Sequence, residues 1–539
     1  MTFARCLLFL ATGFLGFAQT RDRIATGFDD IQAAKIRADL TFLASDAMEG
    51  RMSLDRGSEV AIQWIASEFA KAGLKPLVGD TFLQPVPLVE YKMDRARTTL
   101  ALRAGGVTKE FKAPALIVSY PNDGVYKGQL VFAGFGITAP ELKYDDYAGL
   151  DAKGKIVVIF NHEPQEEDAN SVFNGKGNTR YANARAKMTN ALRHGAVAVL
   201  VVPDPNHKPG RERGTLDGDN QASLALRTPR PIQSIDGETS IPVLTLTAKL
   251  ADELFALTGQ KAADLQTAID STLKPSPASF KGAEVELHVA TAQRKRGVSY
   301  NVAGLIEGSD PTLNAETILY SAHYDHDGLR VDGEIYRGAD DNGSGTVGIV
   351  SLARAFSKNP IKPKRSIALV VFAAEERGLL GAYYYADHPL RPLATTRAQV
   401  NFDMIGRDEK DSNQTKGLID IAADTSNEVN IIGTRYSPDY RNAVVRANEL
   451  VGIHLNYKWD DDTVLNVLFR SDQYPLLMHD IPAIWWFTGF HPDYHQITDT
   501  AEKINYPKME KILRLAYATG FDFGDTATPP KFFPAGAAR

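Results

Sequence analysis

The chain has 539 residues, of which 44% are hydrophobic and 23% are charged. That balance is typical of a globular protein and excludes collagen-like, coiled-coil and fully disordered chains. With 60 basic and 66 acidic residues the formal net charge is −6. The chain therefore lacks the positive field that binds nucleic acids and anionic membranes, and we expect no nucleic-acid partner. The length predicts two or three domains.

Residues 1–18 have the pattern of a secretory signal peptide. Arg5 precedes an apolar run over residues 6–17, and Gly16-Phe17-Ala18 has the small-x-small form of a cleavage site. We expect export to the periplasm or the medium, with no membrane contact after cleavage. The alternative is an N-terminal anchor helix, although the run is short for a bilayer span. The only cysteine, Cys6, lies in this segment, which excludes thiol catalysis and thiolate metal ligands in the mature chain.

The next two segments differ in their pattern of apolar and polar residues. Residues 19–84 include an amphipathic pattern that predicts a helix over residues 58–72. Residues 85–290 contain short apolar runs separated by turn residues, which predict a small β-rich domain with a helix over residues 182–194. Within this block, residues 204–239 are polar and predict a mobile surface loop.

Residues 291–525 alternate between strand and helix patterns, and residues 526–539 form a tail. The predicted strands cover residues 317–322, 366–373, 400–404 and 483–487, and the predicted helices cover residues 345–356, 378–386 and 507–519. Continuous apolar strands separated by helices predict an α/β fold with a mostly parallel sheet that helices cover on both faces.

The carboxyl ends of these strands carry the chemistry, as is usual in such sheets. Histidines and carboxylates occur there in five short strings: His323-Tyr324-Asp325-His326, Asp340-Asp341-Asn342, Glu375-Glu376, Asn401-Phe402-Asp403 and Tyr494-His495. Several carboxylates converging on one partly buried place require a cation. Imidazole and carboxylate ligands without thiolates favour Zn²⁺, Mn²⁺ or Co²⁺ over Ca²⁺. Two histidines and three carboxylates can fill two neighbouring sites if one carboxylate bridges, which leaves one glutamate as a general base.

Each string alone has an ordinary structural explanation, as a local hydrogen bond, a helix cap or a complement to a helix dipole. Their recurrence at successive strand ends of one domain favours a metal site. Spacing does not decide between Asp340 and Asp341 as the ligand. His326 and His491 also lie close to the candidate ligands in sequence, and we expect them on the pocket wall or in solvent.

These strings resemble the zinc-exopeptidase family that includes bacterial leucyl aminopeptidases and glutamate carboxypeptidase II. The matching motifs are Ala-His-Tyr-Asp-His, Gly-Ala-Asp-Asp-Asn-Gly-Ser-Gly, Ala-Glu-Glu-Arg-Gly-Leu-Leu-Gly, Asn-Phe-Asp-Met-Ile-Gly and Tyr-His. The segment Glu49-Gly50-Arg51 also fits, so residues 19–84 resemble the first part of the peptidase domain and residues 291–525 its catalytic core. The resemblance implies a phosphorylase/hydrolase-like α/β fold.

The block between these two parts resembles a protease-associated (PA) domain. The match rests on Gly134-Phe135-Gly136, Tyr144-Asp145-Asp146-Tyr147, the strand that begins Gly154-Lys155-Ile156, and the Gly195-Ala196 turn. The resemblance implies that residues 85–290 are inserted into the peptidase domain.

The resemblance also implies a role for each site residue. His323, Asp341 and Asp403 would bind one zinc ion, and Asp341, Glu376 and His495 would bind the other, with Asp341 bridging. Glu375 would be the general base that activates a metal-bridging water. Asp325 would orient His323.

The family includes more than one activity. We expect a metallo-aminopeptidase that acts on peptides, and the alternative is a carboxypeptidase, for which Arg377, Arg407 and Arg470 are candidates to bind a substrate carboxylate. A one-zinc glutaminyl cyclase and a non-catalytic scaffold are further alternatives. Both are disfavoured because all five ligand positions and Glu375 are filled.

Overall fold

The computed structural model describes residues 21–534 except residues 113–115, 119, 121, 174, 176, 207–231, 277–278 and 463–464. The predicted signal peptide, residues 1–18, lies outside the described residues. Among the described residues, no helix combines the length and the apolar character needed to cross a bilayer.

A ten-stranded sheet forms the larger half of the molecule. In spatial order its strands are Ile232–Ile235, Leu83–Met93, Thr291–Ile306, Ser366–Phe372, Thr317–His323, Thr396–Phe402, Ala483–Phe487, Glu428–Ile432 and His454–Asn456, and Lys75–Pro76 pairs beside this path with Thr291–Ile306. The four central strands, from Ser366–Phe372 to Ala483–Phe487, are parallel to one another. Antiparallel strands flank them on both sides. Parallel pairing is therefore concentrated at the centre of the sheet.

Helices cover both faces of this sheet, as the apolar pattern predicts. Alternate residues of one buried strand face opposite ways: Ile318 and Tyr320 belong to one core cluster, and Leu319 belongs to another. The helices are Ala33–Leu43, Arg56–Lys71, Gly345–Lys358, Leu380–Asp387, Pro438–Asn448, Gln473–Leu477 and Tyr506–Asp525, with a further helical segment at residues 21–30. The α/β fold class is confirmed.

An eight-stranded sheet forms the second half, built from residues that lie between Met93 and Thr291. Its strands in spatial order are Val107–Lys112, Thr99–Ala104, Ser279–Val289, Gly124–Phe132, Ile156–Phe160, Ala198–Val202, Val243–Leu246 and Leu116–Val118. The helices Ala184–Arg193, Ala248–Thr258 and Ala262–Thr272 accompany it.

A buried aspartate explains one motif of this second half. Oδ2 of Asp146 accepts hydrogen bonds from the backbone amides of Phe135 and Ile137 at 3.0 Å each, and its Oδ1 accepts one from the Tyr144 hydroxyl at 2.6 Å. Gly134 has a φ of +49°, and a Cβ there would lie 2.1 Å from Asp146 Oδ1. The Gly-Phe-Gly and Tyr-Asp-Asp strings therefore form one hydrogen-bonded turn.

One sequence prediction in this region is wrong. We predicted a loop over residues 204–239, but Ile232–Ile235 is a strand that pairs antiparallel with Leu83–Met93 at the edge of the large sheet. The pairing partner lies more than a hundred residues away, so no local pattern reveals it. Residues 207–231 of the predicted loop lie outside the described residues.

Arg180 joins the two halves. Its Nη1 lies 2.5 Å from Asp480 Oδ1, its backbone amide donates to the Tyr436 hydroxyl, and its carbonyl accepts from the Tyr474 hydroxyl. These contacts tie the segment before the helix Ala184–Arg193 to loops and helices of the large sheet.

Candidate metal centre

The carboxyl ends of the parallel strands bring the predicted donors together. His323 ends the strand Thr317–His323, Asp403 follows Thr396–Phe402, and Glu375 follows Ser366–Phe372 after two alanines. Asp341 lies in the segment Ala339–Ser344 that leads into a helix, and His495 lies in a turn beyond the last parallel strand. The structure therefore gathers all of these side chains at one edge of the sheet.

The first donor group contains His323, Asp341 and Asp403, whose ligand atoms lie within 4.8 Å of one another. Nε2 of His323 is 3.6 Å from Asp341 Oδ1 and 3.5 Å from Asp403 Oδ1. All three side chains are buried. This is the set that the family resemblance implies for one ion.

The second donor group overlaps the first through Asp341. Nε2 of His495 is 3.0 Å from Asp341 Oδ2 and 3.6 Å from Glu376 Oε2. The two oxygens of Asp341 therefore face different histidines, Oδ1 toward His323 and Oδ2 toward His495. A carboxylate in that position can bridge two metal ions.

The structure also separates Asp341 from its neighbour. Asp340 turns away from both donor groups: its Oδ1 accepts from the Gly406 amide at 2.7 Å, and its Oδ2 lies 3.2 Å from His491 Nε2. His491 is fully buried beside it. Our expectation of a solvent or pocket-wall position for His491 is therefore wrong, because this histidine fills an internal space next to Asp340.

Glu375 lies against the first donor group. Its Oε2 is 3.6 Å from His323 Nε2, and the side chain is buried. Ala374 adopts a left-handed φ of 54°, which turns the chain sharply at the end of the strand and directs Glu375 toward the site.

Asp325 differs in detail from the role that the resemblance implies. Nδ1 of His323 donates to the backbone carbonyl of Asp325 at 3.1 Å, whereas the Asp325 carboxylate is 3.8 Å away. That carboxylate instead accepts from the backbone amides of Glu375 and Glu376, at 3.0 and 3.3 Å. Asp325 thus orients His323 through its main chain and fixes the Glu375-Glu376 turn through its side chain.

Two neighbouring residues, one of them unpredicted, also contact the second group. Nδ1 of His326 is 2.7 Å from Glu376 Oε1, and Oδ2 of Asp327 is 3.0 Å from His495 Nδ1. His326 with Asp341 and Glu376, and Asp327 with Glu376 and His495, also form groups of potential ligand atoms. We expected His326 at the pocket wall or in solvent, but it is fully buried and bonded to a candidate ligand. The sequence signal for Asp327 was only its place directly after His326.

Arg51 braces the loops that carry the donors. This buried arginine, from the Glu49-Gly50-Arg51 motif, donates to the carbonyls of Tyr324 and Gly338 at 2.7 and 2.8 Å. It also donates to the carbonyls of Leu43 and Arg337 at 2.9 and 2.7 Å. One side chain therefore fixes the segment after His323 relative to the segment before Asp341.

The electrostatics of the site fit a bound cation. Burial and the Glu376 charge raise the pKa of Asp341 to about 7. Burial opposes the charged form of His495, yet Glu376 and neighbouring groups raise its pKa to about 9. Burial also raises the pKa of Glu375 well above its usual range. Protons bind tightly here because negative charge is concentrated in a desolvated place. A bound metal ion would compensate the same negative charge.

The donor atoms themselves support the same conclusion. His323 Nε2 and Asp403 Oδ1 are buried atoms that find no hydrogen-bond partner among the residues that the structure describes. Buried polar atoms almost always have a partner, and a metal ion between these two atoms would provide one. An α/β domain with overlapping imidazole and carboxylate groups beside a buried glutamate is the arrangement of a metal-dependent hydrolase.

Comparison with known families agrees with that class. Residues 301–519 match peptidase family M28, and residues 125–254 match the PA domain. The match to peptidase family M28 thus falls on the large-sheet half of the chain, and the match to the PA domain falls mainly on the eight-stranded-sheet half. The family resemblance read from the motifs is confirmed.

Individual relatives are more distant. Over 278 residues the chain is 29% identical to Aminopeptidase YwaD of Bacillus subtilis (strain 168), and the aligned region covers 50% of this chain and 45% of the relative. Over 328 residues it is 28% identical to Aminopeptidase NAALADL1 of Rattus norvegicus, covering 53% and 40%. The matches thus span less than half of each relative. The solved aminopeptidase from Aneurinibacillus sp. strain AM-1 is 20% identical with a TM-score of 0.49, covering 94% of this chain and 96% of that one.

Proposed function

We propose that the chain is an exported two-zinc metallo-exopeptidase, and more specifically an aminopeptidase that removes N-terminal residues from peptides. The observation that carries the two-ion count is Asp341, whose Oδ1 lies 3.6 Å from His323 Nε2 and whose Oδ2 lies 3.0 Å from His495 Nε2. His323 and Asp403 would complete one site, and Glu376 and His495 would complete the other.

The residues of the chain divide the chemistry among them. When bound, zinc supplies Lewis acidity, which polarises the scissile carbonyl and lowers the pKa of the attacking water. Glu375 takes the proton from that water and delivers it to the departing amine. Its carboxylate is suited to this because it is buried beside His323 and held by a turn that Asp325 fixes through two backbone amides.

The arginines favour N-terminal over C-terminal recognition. A carboxypeptidase needs a cation that is available to the substrate carboxylate. Arg377 lies 3.8 Å from Asp327, and Arg407 lies 2.9 Å from Asp493 and 3.8 Å from Asp499. These two candidates are thus already compensated by carboxylates. The similar proteins from Bacillus subtilis and Rattus norvegicus also carry the name aminopeptidase.

Arg470 keeps a carboxypeptidase as the second candidate. Its guanidinium stacks on the Phe490 ring, 5.0 Å from the centroid, and donates to the Tyr494 hydroxyl at 3.1 Å. Its Nη1 is buried and has no hydrogen-bond partner among the described residues. Tyr494 directly precedes the ligand candidate His495.

Export is part of the proposal and is supported by the sequence alone. The apolar run of residues 6–17 and the Gly16-Phe17-Ala18 site predict removal of a signal peptide. Sequencing the N-terminus of the protein recovered from periplasm and medium tests this. A mature chain that begins at Gln19 is the expected result, and an uncut chain in the membrane fraction would favour the anchor helix.

The activity is tested with the purified mature chain and its Glu375→Gln variant, with Glu334→Gln as a control at an exposed glutamate. Each protein is assayed for zinc content and for hydrolysis of free-amine, N-acetylated and C-terminal-glutamate peptides. We expect two zinc ions per chain and cleavage of free-amine peptides only. Loss of the general base should lower kcat about 10² to 10⁴-fold, while Glu334→Gln retains wild-type activity.

Other outcomes select the alternatives. Cleavage of N-acetylated or glutamate peptides, abolished by Arg470→Gln, would establish a carboxypeptidase. One zinc ion with cyclisation of N-terminal glutamine would establish a glutaminyl cyclase. A chain that binds zinc and turns over no substrate would contradict the enzymatic proposal, and a chain without zinc would contradict the metal centre.

A further inference from the structure

The two histidines of the metal centre are anchored by different kinds of acceptor. Nδ1 of His323 donates to a neutral group, the backbone carbonyl of Asp325, at 3.1 Å. Nδ1 of His495 donates to a carboxylate, Oδ2 of Asp327, at 3.0 Å. The two donor groups therefore share Asp341 but differ in the acceptor that Nδ1 of each imidazole bonds, a backbone carbonyl for His323 and a carboxylate for His495.

His495 also depends more on its anchor than His323 does. His323 ends a buried strand, and its side chain is 1% exposed. His495 lies in a turn with a left-handed φ of 54°, and its side chain is 13% exposed. Because His495 lies outside the helices and strands, side-chain contacts orient its ring: the bond to Asp327 and packing against the rings of Tyr494 and His326. That bond directs Nε2 toward Asp341 and Glu376.

Asp327 is itself held in place. Its side chain is 1% exposed, and Nη1 of Arg377 lies 3.8 Å from its Oδ1. The guanidinium thus places a positive charge beside this buried carboxylate. An ionised acceptor on Nδ1 makes the opposite ring nitrogen a better electron donor and fixes the tautomer that leaves Nε2 able to bind metal.

We propose that Asp327 is a positioning residue for His495, and that its carboxylate selectively strengthens metal binding at the site formed by Asp341, Glu376 and His495. The inference rests on the proposed two-zinc centre. It predicts that the two ions are held unequally. Losing the Asp327 charge lowers the affinity for the ion at Asp341, Glu376 and His495 by about 10 to 100-fold, the usual effect of removing such a partner. The affinity for the ion at His323 and Asp403 stays within about twofold of the wild type.

The test uses the full mature chain, stripped of metal and titrated with Zn²⁺ against a chromophoric chelator. The variants are Asp327→Asn, which keeps an acceptor oxygen but removes the charge, and Asp327→Glu, which restores a carboxylate. Asp332→Asn is the matched control, because Asp332 is exposed, lies five residues further along the chain and pairs with Arg330. Co²⁺ titrations followed by the visible spectrum show which of two environments fills first.

We expect two binding steps in the wild type and in Asp332→Asn, with one step weakened at least tenfold in Asp327→Asn and partly recovered in Asp327→Glu. Equal affinities in Asp327→Asn and the wild type, or equal weakening of both steps, would overturn the inference. A loss far beyond 100-fold without recovery in Asp327→Glu would also overturn it, because Asp327 would then be a ligand itself.

Two further results keep the outcomes distinct. If Asp327→Asn fails to fold because it leaves Arg377 uncompensated, the double variant Asp327→Asn/Arg377→Gln removes both charges and is titrated instead. If the wild type binds fewer than two ions, the proposed two-zinc function fails. If the wild type binds two and Asp327→Asn binds them unchanged, the function stands and the positioning role fails.

Discussion

Replacing Arg51 with lysine tests whether this buried arginine joins the loops of the site. Arg51 donates to four backbone carbonyls, those of Leu43, Tyr324, Arg337 and Gly338. A lysine ammonium has three N–H groups on one atom, so at least one buried carbonyl loses its donor, at a cost of roughly 1–3 kcal/mol. Poorer alignment of the remaining charge-assisted bonds adds to this, for a total of about 3 kcal/mol.

The four tryptophans make this measurement specific. Trp64, Trp459, Trp485 and Trp486 all lie outside the eight-stranded-sheet half of the chain. Urea unfolding of the metal-free protein followed by tryptophan fluorescence therefore reports on the large-sheet domain. Arg56→Lys is the control, because that side chain is 78% exposed.

The result for metal binding follows from the same bonds. Because Arg51 links the carbonyls of Tyr324 and Gly338, we expect Arg51→Lys to weaken both zinc steps, unlike the Asp327 variants. An unfolding free energy within about 0.5 kcal/mol of the wild type, as for an ordinary surface change, would refute the reasoning.

Three further predictions concern charge and hydrogen bonding. In the metal-free chain the pKa values of Asp341 and His495 are raised to about 7 and about 9, so their contribution to stability is complete at low pH and is lost as pH rises through these values. Zinc displaces those protons, so its apparent affinity should rise from pH 6 to 9 and binding should release protons. Calorimetry in buffers of different ionisation enthalpy measures both the affinity and the number of protons released. An affinity that does not change with pH would contradict this. Asp325→Ala should lower kcat at least tenfold, because the amides of Glu375 and Glu376 lose their acceptor; unchanged turnover in a peptide assay would show that the turn holds without it. Asp146→Ala should destabilise the eight-stranded-sheet half by about 3 kcal/mol, since two amides and a hydroxyl lose a buried acceptor; an unfolding curve by circular dichroism that matches the wild type would contradict this.

The sequence was sufficient for the parts of the site that follow from strand order. His323, Glu375 and Asp403 are at the ends of strands whose apolar patterns are unmistakable, and parallel strands place their carboxyl ends at one edge. Choosing Asp341 over Asp340 needed the family resemblance, because adjacent residues differ only in the direction of their side chains.

The contacts that support the ligands could not be read in the same way. Arg51 meets the Tyr324 carbonyl across 273 positions of the chain, and Asp327 meets His495 across 168. No local pattern encodes such pairs. The resemblance pointed to Asp325 as the residue that orients His323, but not to the atoms involved. The bond to His323 comes from the Asp325 backbone carbonyl, and the carboxylate binds the amides of Glu375 and Glu376. A sequence does not distinguish these two uses of one residue.

The strand Ile232–Ile235 makes the two halves of the molecule hard to separate. The chain leaves the large sheet after Met93, returns for these four residues, departs again and comes back at Thr291. Ile235 packs in the same small cluster as Ala374, the residue before Glu375. The PA region thus contributes a strand to the large sheet and is not simply attached to it at its two ends. A graft of this region from a related peptidase would therefore also replace a residue that packs against Ala374, directly before Glu375, so the two halves have to be engineered together.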